Sequence, residues 1–579
     1  MTGHFIVCGL GRIGYRIVTL LLQMGEAVTV VTTDVREEWA AKLQQRGVTI
    51  VRGDARNERL LIQAGIREAR ALIAAIDKDI VNIEIALDAK KLRPDLPIVA
   101  RIFDTNLAHQ MEVAFDLRRA LEISTLAAPI FAASAMGEQL VASFRLDNTL
   151  LVVGRLTLTA DSRLAGCTVQ QVCARYGLST LTRDRKTTPS AREIAPPLET
   201  QLQTGDSLTL IGLSSQWEEV ANETDTSGEY RIGSPQRRKR AGFWREGLHP
   251  RAWFALLRHL WDSTSAPLRT IFVILNILIV LSAGVFHALM NLSPLDAVYF
   301  TLATVTTVGY GDITPKPSQT AAKVYCCFVM LLGSATVATL FSILTEYIVT
   351  SRFLQLLGRQ RVPKEGHFVV VGLGNVGYRI VEKLRLLGAE VVVVEQNANR
   401  EFVDAVRATT PVIIGNGGLP QTLQKANITK ARAVLAVTND DAVNLGIMLE
   451  VKQSAPQART ITRVFDADLA RKVQTAFHVD ASFGASLVAA PTFVAAACYP
   501  FVRNAFVLDD LLFSILDRPV GTEWEGKTPS TLRSDNETSV LMRRRPGTAE
   551  FIAASDDAPL DRDERILAVV WRRLTPDPV

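Results

Sequence analysis

The chain has 579 residues, of which 48% are hydrophobic and 21% are charged, and its net charge is +5. Its length allows about three to five domains, and its apolar fraction argues against a purely soluble protein. The small net charge is weak evidence for a nucleic-acid partner, and we expect none.

The first residues and the cysteines bear on the compartment. The N-terminal run leads directly into a strand and a turn, so no signal peptide is expected. The six cysteines form no CxxC pair, which is typical of reduced thiols facing the cytosol. They are Cys8, Cys167, Cys173, Cys326, Cys327 and Cys498.

The N-terminal region predicts a strand, a glycine-rich turn, a helix and a second strand. The apolar run Phe5–Cys8 enters a GxGxxG motif, and the second strand covers Ala27–Thr32. Glycines at this spacing permit a tight turn and close approach to a phosphate, and the helix N-terminus supplies partial positive charge. The candidate nucleotide-binding residues of this first copy are Gly9, Gly11, Arg12, Ile13, Gly14, Thr32, Asp34, Asp79 and Arg101.

A basic and aromatic stretch, Arg237–Trp261, follows this region. Its composition favours a helix lying in the inner membrane interface, with three tryptophans at headgroup depth. A solvated basic linker is the next alternative, and a nucleic-acid patch is the third.

Two charge-free segments, Thr270–Leu295 and Val324–Thr345, are long enough to cross a hydrocarbon layer of about 30 Å. Basic residues flank the pair on both sides in sequence, whereas the charges between the segments cancel. The positive-inside bias therefore predicts a multi-pass protein of the cell (inner) membrane with both termini in the cytoplasm. A third apolar stretch, Ala485–Val502, contains two prolines and predicts a buried helix at a domain interface, not a span.

A short capped helix is predicted between the two spans. Ser293 suits the N-cap, Pro294 the first position and Asp296 the first turn, and the helix should end near Thr306. The next five residues have the TVGYG sequence of a potassium selectivity filter, whose carbonyls replace the hydration shell of the ion. They are Thr307, Val308, Gly309, Tyr310 and Gly311.

On these residues the segment resembles the two-transmembrane potassium channels of prokaryotes. The resemblance implies a homotetramer in the lipid bilayer. K+ would be held by the hydroxyl and carbonyl of Thr307 and by the carbonyls of Val308, Gly309 and Tyr310. The resemblance also assigns pore-supporting roles to Tyr299, Phe300 and Asp312, the two aromatic residues packing behind the filter.

Two residues of the second span are candidates for the gate. Gly333 lies near the family's inner-helix hinge, and an ordinary packing glycine is the alternative. Glu346 would either ring the inner mouth and concentrate cations or be solvated at the helix end.

The region after the spans repeats the region before them at an offset of about 362 residues. Its candidate nucleotide-binding residues are Gly372, Gly374, Asn375, Val376, Gly377, Glu395, Asp441 and Arg463. In dinucleotide sites an acid at the end of the second strand binds the ribose hydroxyls. The second copy has Glu395 there, which predicts NAD or an adenine nucleotide. The first copy has Thr32, with Asp34 and Arg36 nearby, so a phosphate-bearing variant and no ligand both stay open.

Both copies resemble the RCK domain, which regulates potassium conductance. The resemblance implies a cytoplasmic gating ring and a small C-terminal lobe after each copy. Some relatives bind divalent cations, but no cluster of carboxylates in this sequence has the spacing of a metal site. Asp54 of the first copy corresponds to Asn416 of the second, so an acidic site there would not be duplicated. A Rossmann-like scaffold used only for assembly is the alternative to a nucleotide site.

The fold class expected is therefore multidomain. Two α/β Rossmann-like RCK domains, each with a small α+β lobe, flank an all-α pore domain with two spans. The boundaries expected are 1–140 and 141–213 for the lobes of copy 1, 214–268 for the basic linker, 269–350 for the pore, 351–365 for a linker, and 366–504 and 505–579 for copy 2.

Two other functions fit parts of the sequence. An NAD-linked oxidoreductase would use the GxGxxG folds, but it leaves the spans unexplained and no catalytic His or Lys is evident. A subunit of a potassium uptake transporter would need several pore segments, whereas the chain has one. We therefore expect a ligand-gated channel and no enzyme.

Overall fold

The chain forms two compact units in a computed structural model, one from residues 1–236 with 361–579 and one from residues 237–360. The residues described are 3–137, 140–146, 149–159, 162, 164–185, 192–213, 216–217, 266–356, 361–465, 467–536, 538–548, 551–554 and 557–575. The interfacial helix expected for Arg237–Trp261 lies outside them.

The first lobe is a parallel six-stranded sheet with the order β3-β2-β1-β4-β5-β6. Strands β1 to β6 are Phe5–Cys8, Val28–Thr32, Thr49–Arg52, Ala71–Ala74, Ile98–Arg101 and Arg119–Leu121. Helices α1 to α6 are Arg12–Gln23, Glu37–Gln45, Glu58–Gln63, Asp79–Leu92, Thr105–Ala114 and Ile123–Met136. The central strands are buried on both faces and therefore consist of continuous apolar runs.

An antiparallel sheet follows, with the order β10-β9-β11-β8-β7. Its strands β7 to β11 are Leu140–Leu146, Thr149–Thr157, Ser179–Asp184, Arg192–Ile194 and Ser207–Leu213, and its helix α7 is Val169–Tyr176. The start of α7 is fixed by a capping box between Thr168 and Gln171.

The second unit contains three described helices: α8 (Ala266–Met290), α9 (Pro294–Val305) and α10 (Thr320–Leu356). Thr270–Met290 and Thr320–Ile343 are long and apolar enough to cross a membrane. Both predicted spans are confirmed as apolar helices, and α10 continues well beyond the apolar segment.

The second parallel sheet has the order β14-β13-β12-β15-β16-β17, which repeats the first. Strands β12 to β17 are Phe368–Val371, Val391–Glu395, Val412–Ile414, Ala433–Ala436, Arg459–Arg463 and Ala481–Phe483. Helices α11 to α16 are Asn375–Leu386, Val403–Arg407, Pro420–Lys425, Asp441–Ser454, Ala467–Phe477 and Ala485–Cys498, and Ile428–Lys430 is a 3-10 turn.

The last lobe is again antiparallel, with the order β18-β19-β22-β20-β21. Strands β18 to β22 are Val502–Leu508, Leu511–Pro519, Thr538–Arg544, Ile552–Ala553 and Arg565–Arg573, and helices α17 and α18 are Gly521–Trp524 and Pro529–Asn536.

The two copies exchange their last helices. Helix α16 buries Phe493 and Val494 in the core of the first copy, whereas α6 buries Phe131 in the core of the second. The prediction that Ala485–Val502 forms a buried interface helix is confirmed for Ala485–Cys498, and β18 begins at Val502. Because each core is completed by the other copy, the two copies form one folded unit.

Candidate functional site

The short helix between the two spans begins as the sequence predicts. Ser293 Oγ accepts a hydrogen bond from the backbone N–H of Asp296 at 3.1 Å and donates to the Asp296 carboxylate at 2.7 Å. Pro294 occupies the first turn, where its missing N–H costs nothing. The helix ends at Val305, close to the predicted Thr306.

Three residues of the filter segment have left-handed backbone angles. Gly309 and Gly311 have φ of +54° and +78°, values that glycine adopts without a steric penalty. Thr307 has φ of +62°, which is strained for a β-branched residue. The N–H groups of Val308 and Gly309 both donate to the Ala303 carbonyl, so the start of the filter is tied to the end of α9.

The two predicted supporting aromatic residues have different surroundings. Tyr299 Oη donates to the Asp312 carboxylate at 2.8 Å and links α9 to the end of the filter. Phe300 instead packs edge-on against Phe286 of α8, with ring centroids 4.9 Å apart. The role expected for Phe300 behind the filter stays a prediction.

Gly333 is buried where α10 crosses the end of α9. A Cβ atom there would lie 3.1 Å from Val305 Cα, closer than an ordinary van der Waals contact. This geometry favours the packing alternative over a hinge, because α10 is a continuous helix through this point. The Glu346 side chain lies outside the described residues.

Both glycine-rich turns have the geometry that a phosphate loop requires. Gly9 and Gly372, which directly follow β1 and β12, have φ of +97° and +100°. A Cβ on Gly14 or Gly377 would lie 1.9 Å from the carbonyl oxygen of Gly9 or Gly372. Each third glycine therefore permits a helix to begin against the preceding strand. Gly11 and Gly374 are the N-caps of α1 and α11, and no side chain caps either helix.

The ends of the second strands differ as predicted. The buried Glu395 carboxylate accepts hydrogen bonds from the N–H of Leu373 at 2.6 Å and of Asn397 at 3.0 Å. In the first copy Thr32 Oγ1 accepts from the N–H of Leu10 at 3.3 Å. A carboxylate has about four acceptor positions, so Glu395 keeps capacity for ribose hydroxyls.

Asp79 and Asp441 hold the backbone of the site. Asp79 Oδ2 accepts from the N–H of Phe103 at 2.8 Å, and Asp441 Oδ2 from the N–H of Phe465 at 2.9 Å. Like Glu395, neither carboxylate is among the residues that line the cavity described below, and both hold neighbouring backbone in place. Their assignment as nucleotide-binding residues stays a prediction.

Arg101 and Arg463 lie at the ends of β5 and β16. Burial lowers the pKa of both guanidinium groups. Arg12 lowers the pKa of Arg463 further, and Asp441 opposes this. Both arginines remain charged and provide dehydrated positive charge, which suits a phosphate ligand.

A cavity of about 1080 Å³ joins the glycine-rich turns of the two copies. The first copy contributes Gly9, Gly11, Arg12, Ile13, Thr32, Asp34 and Arg101, and the second contributes Gly374, Asn375, Val376 and Arg463. Sequence reasoning missed three further basic residues of the lining: Arg56, Lys78 and Arg400. They lie in loops outside the GxGxxG motif, and only their clustering in space identifies them.

Carboxylates in the described part of the chain do not assemble into a metal site. No group of three His, Cys, Asp or Glu residues there could hold a metal ion. Asp54, which Asn416 replaces in the second copy, pairs with Arg56, whose hydrogen bonds lower the pKa of the Asp54 carboxyl group.

Family profiles match three segments of the chain. The TrkA-N domain matches residues 5–116 and 368–483, and the ion channel domain matches residues 273–350. These segments coincide with the two parallel sheets and the two spans.

Relatives of known name support the same organisation. Over 222 residues the chain is 26% identical to "Probable potassium channel protein 2" of Methanocaldococcus jannaschii, covering 37% of this chain and 64% of that protein. Over 232 residues it is 25% identical to "Voltage-gated potassium channel Kch" of Escherichia coli, covering 38% and 55%. The chain thus spans less than two thirds of the curated relatives it matches.

Two solved structures share the fold along nearly the whole chain. The structure called "GsuK Channel" aligns with a TM-score of 0.51 at 14% identity, covering 98% of this chain and 77% of that one. "GsuK channel bound to NAD" aligns with a TM-score of 0.50, with the same identity and coverage. The family profiles thus place one ion channel domain between two TrkA-N domains, and the two solved structures share the fold of the chain.

Proposed function

We propose that four copies of this chain form a potassium-selective channel whose opening is controlled by a nucleotide. The observation that carries the proposal is the capped helix α9 leading into TVGYG between two apolar helices. One chain supplies a single filter segment, and four are needed to surround a potassium ion. K+ would be coordinated by Thr307, Val308, Gly309 and Tyr310.

The names of the relatives agree with this pore function. Two of them are called potassium channels, and the flanking basic residues favour a cytoplasmic position for both termini. The enzyme alternative has no comparable support, because the family profiles include an ion channel domain.

The ligand we propose is NAD or an adenine nucleotide. Its support is Glu395 at the end of β13, the glycine turn beside it, and the NAD bound to a structural neighbour, the GsuK channel. In the first copy Thr32 replaces the acid, and four basic side chains line the cavity beside three acidic ones, so a ligand with an additional phosphate is the variant we propose there. No divalent cation is part of the proposal.

The tethers indicate how the ligand acts on the pore. About 17 residues, Thr350–Gly366, lead into the second copy, and the first seven of them continue α10, whereas about 55 residues join the first copy to α8. A short tether transmits displacement and a long one absorbs it. The second copy therefore pulls on the gate, and the first acts through the exchanged helices α6 and α16.

The test is channel recording with the purified protein in planar bilayers while NAD is added to the cytoplasmic side. A ligand shifts opening only as far as it binds the open state better. We expect the open probability to change with NAD, and Glu395→Gln to move that response to higher NAD concentration. A potassium current that does not change with NAD, ADP or ATP would agree with the proposed pore but would refute control by a nucleotide.

A further inference from the structure

A second cavity, of about 580 Å³, lies between the two copies and away from the glycine-rich turns. Its walls include Leu126 and Ile130 of α6, Phe483 of β17 and Val488 of α16. This volume falls within the roughly 300–1,000 Å³ of ligand pockets, whose walls are mainly apolar with a few polar groups.

The polar lining of this cavity is positively charged. Arg16 of α1 and Arg471 of α15 line it, and no Asp or Glu of the described chain does. Arg16 donates from Nη2 to the Phe465 carbonyl at 3.1 Å, but its Nε is buried without an acceptor among the described residues. A buried donor of this kind is uncommon and calls for a partner.

The second copy shows how the same arginine is normally neutralised. Arg379 occupies the position of Arg16 and forms ion pairs with Glu122 at 3.1 Å and with Glu382 at 2.9 Å. At the equivalent positions around Arg16 the chain has Gly484 of the second copy and Thr19 of the first copy. The repeat has therefore kept the arginine, lost both carboxylates and left an apolar cavity beside it.

We propose that this cavity binds a small apolar monocarboxylate, whose carboxylate pairs with Arg16 in place of the missing acids. The apolar body of the ligand would contact α6 and α16, the two exchanged helices. The ligand would therefore bridge the two copies at a site separate from the nucleotide.

The test measures binding of 4-phenylbutyrate to the full-length channel in nanodiscs by calorimetry, with empty nanodiscs as the blank. The neutral analogue 4-phenylbutanol should bind at least roughly tenfold more weakly, because it lacks a charge-assisted hydrogen bond to Arg16. Arg16→Gln should weaken 4-phenylbutyrate binding by a similar factor.

Thr19→Glu is the sharper variant, because it places an acid three residues after Arg16. Glu382 has the same spacing from Arg379 in the second copy. The affinity of this variant for 4-phenylbutyrate should fall roughly tenfold or more, while its affinity for NAD stays at the wild-type level. The proposal is overturned if wild-type protein does not bind 4-phenylbutyrate, as when a neighbouring subunit covers the cavity, or if Thr19→Glu binds it as tightly as wild type.

Discussion

Glu395 and Thr32 end equivalent strands, yet they leave different chemistry at the two glycine turns. Both accept a hydrogen bond from the N–H that follows the first glycine, of Leu373 and Leu10 respectively. Only Glu395 brings a charge. The sequence predicted this difference, because the acid position follows directly from the strand register. It could not predict that Asp79 and Asp441 hold backbone N–H groups, since their hydrogen bonds join residues 24 apart.

Replacing the acid tests the nucleotide site of the second copy. Glu395→Gln keeps the size and one acceptor but removes the charge, and should weaken NAD binding roughly tenfold or more. Glu395→Ala also frees the N–H groups of Leu373 and Asn397 and should weaken binding further. Thr32→Ala is the matched control in the first copy, with NAD binding followed by calorimetry. Wild-type affinity in Glu395→Ala would refute the assignment.

A buried ion pair recurs in the two C-terminal lobes, Arg183–Asp206 in the first and Arg543–Glu564 in the second. Removing one partner of such a pair leaves an uncompensated buried charge, at a cost of about 3–5 kcal/mol. Glu564→Gln should therefore lower the melting temperature of the protein clearly. Asp563→Asn, which changes an exposed acid next to it, should not. Equal melting curves for the two variants would contradict the role given to Glu564.

At the scale of elements, the sequence predicted those helices and strands whose position depends on neighbouring residues in the chain. Ser293, Pro294 and Asp296 marked the start of α9, and the apolar runs marked the strands. The exchange of α6 and α16 could not be predicted, because both helices are apolar over much of their surface and do not specify which sheet they cover. The contact between Phe300 and Phe286 could not be predicted for a related reason: the two residues lie on different helices.

The crossing of α9 and α10 can be tested at Gly333. An alanine Cβ there would press on Val305, and such overpacking typically costs about 1–3 kcal/mol. Gly333→Ala should lower the melting temperature and disturb conduction, because Val305 ends the helix that supports the filter. Gly284→Ala in α8 is the control, since no atom lies within 4 Å of its Cβ position. If both variants melt and conduct alike, close packing at Gly333 is not important.

At the scale of the whole molecule, the chain joins an ion channel domain to a unit made of two unequal TrkA-N copies. The two copies differ at the residues that end their second strands, Glu395 and Thr32, and in the length of the linkers that join them to the spans. The difference does not lie in the sheets, whose strand orders repeat. Sequence periodicity predicted the repeat, whereas the shared cavity depends on packing between the copies.

The tethers make a prediction about coupling. A flexible Gly/Ser segment inserted after Gly358 should uncouple NAD from opening, because slack in the short tether absorbs the displacement. The same insertion near Ser227, in the long linker, should leave the NAD response close to wild type. Bilayer recordings in which both insertions respond to NAD normally would contradict the mechanism.

The central claim, that TVGYG forms a potassium pore, is tested most directly by single-channel recording of the purified protein with KCl on one side of a bilayer and NaCl on the other. We expect discrete currents that reverse close to the potassium equilibrium potential and disappear in Gly311→Ala, where φ of +78° disfavours a side chain. Currents that do not discriminate potassium from sodium, or hydride transfer from NADH without any current, would contradict it.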